Sequence, residues 1–423
     1  MEQKIMTSNN IPVYYYGNEH LHSVCICIYI RAGLLYEKRE LTGISHLWEH
    51  MAFKNINACM DGKLNKELDR MGAYFNGCTY KELVEFKIVA PERYFRECAD
   101  IITKVFEDYK FSDEDFAVEK KRIKSEIRED DEKKSIDYIA GKRVWKNTVL
   151  SGSVAGSSSI VDAIGRKKLS KFNKGIRVSS NIFAYVTGKF TEDDVKYLGE
   201  KLSVYEMSSN TKCARNNVAP VPKNMFKRDA DVLIKKGDVC EVRFSFDIDK
   251  TKCSCVELDL LYDVLFNGES CKIFDSLSDK TGLIYSYDSA IEMYENIGNM
   301  YFSYSVKEKR LLESIERVIL VFKQLKDGVD EELDYAKQPY IDSVDMLLDD
   351  PDGLNWLMAF ESHMLNQAYT GLKDRKEAYQ KVTSERMLEV IKGIFKKNNL
   401  CVAIKTTSGK IKNQSVEKII KKL

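Results

Sequence analysis

The same order of elements occurs twice along these 423 residues. In the first half an alternating strand "SVCICIYIRAG" leads into a helix at "ISHLWEHMAF". A short helix "GKLNKELDRMG" and an aromatic strand pair "AYFNGCTYKELVEFKIVA" follow, then two long helices from "PERYFRECADIITKVFEDY" and "SDEDFAVEKKRIKSEI". In the second half "CEVRFSFDI", "CVELDLLYDVLF", "CKIFDSLSDKTG", "LIYSYDSAIEMYENIGNMYFSYSV", "KEKRLLESIERVILVFKQLKDG" and "DEELDYAKQPYIDSV" take the same places. Gly72 and Gly282 match, each closing a short helix before an aromatic strand. A repeat of this length restricts the chain to two units of one design, each burying a sheet face under its own helices. The expected class is α+β: two homologous domains, each a mainly antiparallel sheet with helices packed on it. The polar stretch "TKCARNNVAPVPKNMFKR", with Pro220 and Pro222, marks the junction. It gives a domain over 1–212, a linker over 213–228 and a domain over 229–423.

One helix of the first half carries unusual chemistry. The chain has five histidines, and "HLWEH" places two of them, His46 and His50, one helical turn apart. Residues four apart lie on one helix face, so both imidazoles can reach one ion. Glu49 leans over the same face. The pattern is H-x-x-E-H, the inversion of the H-E-x-x-H arrangement in which two histidines hold zinc and the glutamate serves as general base. At the matching place the second half has Asp259, Tyr262 and Asp263, so the chemistry belongs to one half. A catalytic zinc takes three protein ligands and leaves one position open. The stretch 113–132 offers nine carboxylates, most of them a solvated helix face. Glu119 and Glu126 are two turns apart on one face, and Val118 and Ile123 beside them are expected to hold that helix to the core. Periodicity does not choose between Glu119, Glu126 and Glu129. His20, His22 and His363 are expected to be ordinary surface or helix residues.

Bulk charge and cysteine usage narrow the surroundings. Lys plus Arg is 66 against Asp plus Glu 65, a balance that gives no field to attract nucleic acid or an anionic membrane. The 11 cysteines contain no C-x-x-C pair and alternate along strands, as Cys25 and Cys27 do, which points to reduced, packed thiols. The N-terminal stretch lacks an apolar signal-peptide core, and no run approaches the roughly 20 apolar residues of a membrane span. A cytoplasmic protein with no nucleic-acid or membrane partner is expected.

The segment "GISHLWEHMAFKN" resembles the metal-helix signature of the pitrilysin/insulinase family of inverted-motif zinc peptidases, in its half-length branch. "VEKKRIKSEI" resembles the second signature, which supplies the third ligand 76 positions after the second histidine, and Glu126 stands there. "GAYFNGCTYKELVEF", "AGSSSIVDAIGRKKLSKF", "NIFAYVTGKFTEDDV" and "SLSDKTGLIYSY" extend the likeness over nearly the whole chain. The resemblance implies one Zn2+ per chain on His46, His50 and Glu126, with Glu49 as general base and Glu119 supporting the site from behind. It implies two bowl-like halves around a chamber that admits extended peptides, with Asn76 and Tyr285 as substrate contacts. Segment 73–80 is the candidate edge strand; an ordinary core strand turning at Asn76–Gly77 is the other way to see it. The sequence departs from the pattern at one point: Ser278 stands where the family has an arginine, seven positions before Tyr285. That departure suggests the zinc-bearing member of a heterodimer, against a homodimer in which Tyr285 or Lys280 suffices. The competing function is a non-catalytic structural or peptide-binding subunit of the same fold.

Overall fold

A computed structural model describes residues 1–129, 135–207, 231–365 and 371–423. The expected linker at 213–228 lies outside the described residues. The chain divides into two units. The first is Met1–Asp130, Gly152–Val218 and Met346–His363; the second is Asp131–Ser151, Ala219–Asp345 and Met364–Leu423. A single cut near residue 212 does not separate them, because each unit takes a stretch from the other half of the sequence.

The first unit holds a six-stranded sheet of β1 (Gln3–Met6), β2 (Pro12–Gly17), β3 (Ser23–Ile30), β4 (Tyr74–Thr79), β5 (Val84–Pro91) and β6 (Ile182–Gly188), in the order β1-β2-β6-β3-β5-β4. The second holds five strands, β7 (Asp231–Lys236), β8 (Glu241–Asp249), β9 (Tyr287–Met293), β10 (Ile297–Ser305) and β11 (Leu400–Thr406), ordered β7-β11-β8-β10-β9. The sequence repeat reappears in the pairing. β2 runs parallel to β6 as β7 does to β11, and the next three pairings are antiparallel in both sheets. Both units are therefore sheet-plus-helix domains of one topology.

Helices α1 (Ile44–Cys59) and α2 (Asp113–Glu129) carry the histidines and the carboxylates, and α3 (Ile136–Val144) and α4 (Pro351–Leu357) lie in the exchanged stretches. The exchanged stretches are equivalent too. Within the second unit α3 packs on β8 and β11; within the first, α4 packs on β3 and β6, the matching strands. This explains why β3 is buried on both faces. Val24, Ile26, Ile28 and Ile30 join the core with Ile44, Leu47 and Trp48 of α1. On the other face the Tyr29 hydroxyl donates to Asn355 Oδ1 of α4 at 2.9 Å. Ten of the cysteines are described and none of the ten is in a disulfide. No helix among the described residues is long and apolar enough to cross a membrane.

Candidate metal centre

Helix α1 begins at a crowded point. Gly43 takes the left-handed conformation (φ 94°), and the Glu37 carboxylate accepts from the Gly43 and Ser45 backbone N–H groups at 2.9 and 2.8 Å. A carboxylate there satisfies two orphan donors and suits the positive end of the helix. A Cβ on Gly43 would lie 2.6 Å from Ala155 O, and one on Gly156 would lie 2.3 Å from Thr42 O. Two backbones thus meet where only glycine fits. Leu47, Trp48 and Met51 bury the opposite side of α1. Trp48 packs edge-on against Phe86 of β5 and donates to Asn173 Oδ1 at 3.0 Å.

With α1 fixed on that side, His46, Glu49 and His50 share the other, facing α2. His50 Nε2 is 3.6 Å and His46 Nε2 4.0 Å from Glu126 Oε2. The three ligand atoms lie within 4.8 Å of one another, and no other such group of three occurs among the described residues. Tetrahedral zinc with bonds of about 2.1 Å sets its ligand atoms about 3.4 Å apart, so two imidazoles and a carboxylate fit with little movement. The donor set, two nitrogens and one oxygen, is one that catalytic zinc uses. Behind it, Glu119 Oε2 lies 3.1 Å from His50 Nδ1, and Glu119 Oε1 lies 3.2 Å from Lys54 Nζ. A carboxylate on Nδ1 fixes the tautomer that leaves the Nε2 lone pair for a metal. The His46 Nδ1 is buried without a hydrogen-bond partner among the described residues.

Burial and neighbouring charge sort the protons. Burial, helped by the nearby His50, pulls His46 down to about 4, so it is a neutral imidazole at neutral pH. Burial also depresses His50, but the Glu119 hydrogen bond and the carboxylates of Glu49, Glu126 and Glu119 outweigh it, and the balance is upward. Burial would raise Glu119; its bonds to His50 and Lys54 prevail and hold it below the usual range. Glu49 goes up, mainly through burial, against the pull of His50 and the Thr79 hydroxyl.

Glu49 is 7% exposed and abuts β4, the edge strand of its sheet. Thr79 Oγ1 donates to Glu49 Oε2 at 3.3 Å. A Cβ on Gly77 would stand 2.9 Å from Glu49 Oε1 and 2.8 Å from Phe53. The strand runs unbroken over Tyr74–Thr79, with Asn76 opposite Lys87 and Gly77 opposite Phe86. The turn at Asn76–Gly77 considered from sequence is thereby overturned: glycine is there for clearance, not for bending. By strand alternation Asn76 points to the face away from Glu49, its Nδ2 3.9 Å from Cys78 Sγ. Its side chain is not brought to the carboxylate.

Val118 is 47% exposed and does not hold α2 to the core, whereas Ile123 is fully buried. The core stripe of α2 runs through Phe116, Glu119 and Ile123, and Val118 lies off it. The side chain of Glu129 lies outside the described residues. In the second unit Tyr285 is 95% exposed, and Lys280 is engaged with Asp275 Oδ2 at 2.5 Å. Ser278 O accepts from Gly282 N at 2.7 Å. Asp259 there is held by Arg375 and Tyr379, at 2.8 and 2.7 Å, and Asp263 by Asn267, so the counterparts of the metal residues are spent on structural bonds. His20 and His22 are exposed. His363 stacks on Tyr14 with ring centroids 3.7 Å apart and sets Nε2 3.2 Å from Glu2. Sequence reasoning missed Glu37, Lys54, Gly77 and Thr79. Lys54 carried a signal, since it continues the four-residue spacing of His46 and His50; Glu37 acts locally, six and eight positions before the N–H groups it accepts from, and Gly77 and Thr79 act only through tertiary approach.

Known proteins are similar to this chain over most of its length. Residues 13–157 match the family model described as insulinase (peptidase family M16), and residues 163–340 match the one described as the peptidase M16 inactive domain. The Bacillus subtilis protein named "Uncharacterized zinc protease YmxG" is 21% identical over 345 residues, covering 80% of this chain and 82% of that protein. The mouse mitochondrial-processing peptidase subunit beta is 26% identical over 155 residues, 36% of this chain and 32% of that subunit. A solved Helicobacter pylori protease superposes with a TM-score of 0.84 at 18% identity, over 96% of this chain and 99% of that one, a likeness of fold.

Proposed function

We propose that this chain, which belongs to the M16 (insulinase) peptidase family, is a zinc-dependent endopeptidase that cleaves extended peptides. The observation that carries the reading is the convergence of His46, His50 and Glu126 within 4.8 Å, with Glu49 on the same helix face. His46 and His50 through Nε2 and Glu126 through its carboxylate would hold Zn2+. When bound there, Zn2+ supplies Lewis-acid chemistry, polarising a carbonyl and acidifying water. Glu49 takes a proton from the attacking water and returns it to the leaving amine. Burial suits it to that task, because a carboxylate of raised pKa is a stronger base. Thr79 steadies Glu49 from β4, whose outer edge can accept the peptide as an added strand.

The proposal extends to assembly and location. The mouse relative is by name a subunit, and Ser278 supplies no fixed cation for a carbonyl or oxyanion. Loss of one such donor costs about 10²–10³ in kcat. The chain is accordingly assigned as the zinc-bearing member of a homologous pair, in a reducing, cytoplasmic setting that suits its thiols. Arginine at this position, S278R, should raise the activity of the purified chain alone; full wild-type activity that no partner and no Tyr285→Phe substitution alters would refute the pairing.

The function itself is tested by zinc content and peptide hydrolysis of purified protein, with Glu49→Gln as control. About one zinc per chain and cleavage that depends on Glu49 are expected. A wild-type chain that takes up no zinc, or a zinc-loaded Glu49→Gln protein that cleaves at the wild-type rate, overturns the proposal.

A further inference from the structure

The geometry points to Lys54 as a positioning residue of the zinc site, acting through Glu119 on His50; this rests on the function proposed above. Helix α1 sets His46, His50 and Lys54 at four-residue spacing, and α2 sets Glu119 and Glu126 seven residues apart. The contacts run in opposite senses along the two helices, so each carboxylate sits between two successive basic side chains. Glu126 is shared by the Nε2 atoms of His46 and His50, at 4.0 and 3.6 Å. Glu119 is shared by His50 Nδ1 and Lys54 Nζ, at 3.1 and 3.2 Å.

The two carboxylates differ in setting. The Glu119 side chain is 3% exposed, that of Glu126 41%. A carboxylate as enclosed as Glu119 needs a hydrogen-bond partner on each oxygen to stay in one orientation. His50 Nδ1 engages one oxygen, Oε2, and leaves Oε1 to a second partner. Arg122 is 3.9 Å from Glu119 and its side chain is 67% exposed, leaving it screened by solvent. Lys54 is the cation at hydrogen-bond distance. It occupies Oε1 and leaves Oε2 on His50 Nδ1. In the same stroke it commits Glu119 to support, and Glu126 remains as the carboxylate facing both Nε2 atoms.

The sign of one measurement separates this role from simple electrostatics. A bystander ammonium repels a dication, so its removal would tighten zinc binding. A positioning ammonium, once removed, frees Glu119 to turn away from His50, and zinc binding weakens. The experiment is competition of the full-length protein against a chromophoric zinc chelator, for wild type, Lys54→Met, Lys54→Arg, Glu119→Gln and the double variant Lys54→Met/Glu119→Gln. Lys54→Met should bind zinc about 10–100-fold more weakly, the scale of groups that support a ligand from behind, and Lys54→Arg should stay close to wild type. On the Glu119→Gln background Lys54→Met should cost nothing more. Unchanged or tighter binding in Lys54→Met, or an equal loss on both backgrounds, would overturn the assignment. Wild-type zinc binding in the same assay reports on the function separately. A chain that holds zinc but ignores residue 54 loses only this inference.

Discussion

Replacing Glu49 by glutamine should lower activity and raise the stability of the metal-free protein together. The side chain is 7% exposed, and its hydrogen bond comes from the neutral Thr79 hydroxyl. Burial therefore raises its pKa. A carboxyl that holds its proton more tightly when folded contributes stability that is fully present below the unfolded pKa. That stability is lost as pH rises through the folded pKa. At neutral pH the ionised, enclosed carboxylate weighs against folding, and glutamine keeps the shape without the charge. Each tenfold of raised proton affinity is about 1.4 kcal/mol. Each kcal/mol so gained would move the unfolding midpoint of a unit this size up by about 2–4 °C. Loss of the base should lower kcat by about 10²–10⁴, or about 2.7–5.5 kcal/mol of barrier. The assay has three parts: zinc stoichiometry, initial rates on a peptide, and thermal unfolding in chelator at pH 7.5 and again at about pH 4. The stability gain should shrink at the lower pH, where the wild-type carboxyl is mostly protonated in both states. Equal stabilisation at both pH values would refute the argument from buried charge, and loss of zinc would refute the separation of base from ligand.

Three further outcomes follow from the same geometry. His46→Ala, His50→Ala and Glu126→Ala should each emerge from dialysis against a mild chelator without zinc, whereas Glu119→Ala should bind about 10–100-fold more weakly; equal loss in the two glutamate variants would mean their roles are not distinct. Gly156→Ala places a Cβ 2.3 Å from Thr42 O at φ +74°. It should destabilise the first unit by at least about 1–3 kcal/mol, measured by denaturant titration, and weaken zinc as the start of α1 shifts. In the metal-free protein, NMR titration should find His46 neutral down to about pH 4 and His50 protonating above the ordinary histidine value; the reverse order would show that the carboxylates do not engage His50.

Much of this architecture was legible because it was written twice. The strand and helix order of one half could be checked against the other, and both sheets repeat one pairing scheme. The exchange of α3 and α4 between units was not legible, since nothing local in "DYIAGKRV" or "PDGLNWL" states which sheet each helix will cover. Val118 misled for a related reason. An apolar residue on a charged helix invites assignment to the core, yet the buried stripe of α2 runs through a carboxylate, Glu119. A hydrophobic pattern cannot announce a buried charge whose cation, Lys54, lies 65 positions earlier in the chain.

The same distinction explains which part of the metal site could be read directly. His46, Glu49 and His50 lie within one helical turn, so their convergence follows from α-helix geometry alone. Glu119 and Glu126 satisfy the same periodicity as each other, and spacing treats them alike. They differ only once α2 is laid against α1 in one register, which sets Glu126 between two imidazoles and Glu119 between an imidazole and an ammonium. Sliding α2 by two turns would bring one of them into the other's place and carry the other out of the site. The register is held by contacts away from the metal residues, among them Ile123 in the core and Lys120 Nζ donating to Asp162 O and Ile164 O at 2.8 and 3.0 Å. Which carboxylate faces both Nε2 atoms is thus a property of helix packing. Substitutions that loosen α2 far from the histidines should weaken zinc binding without touching a ligand.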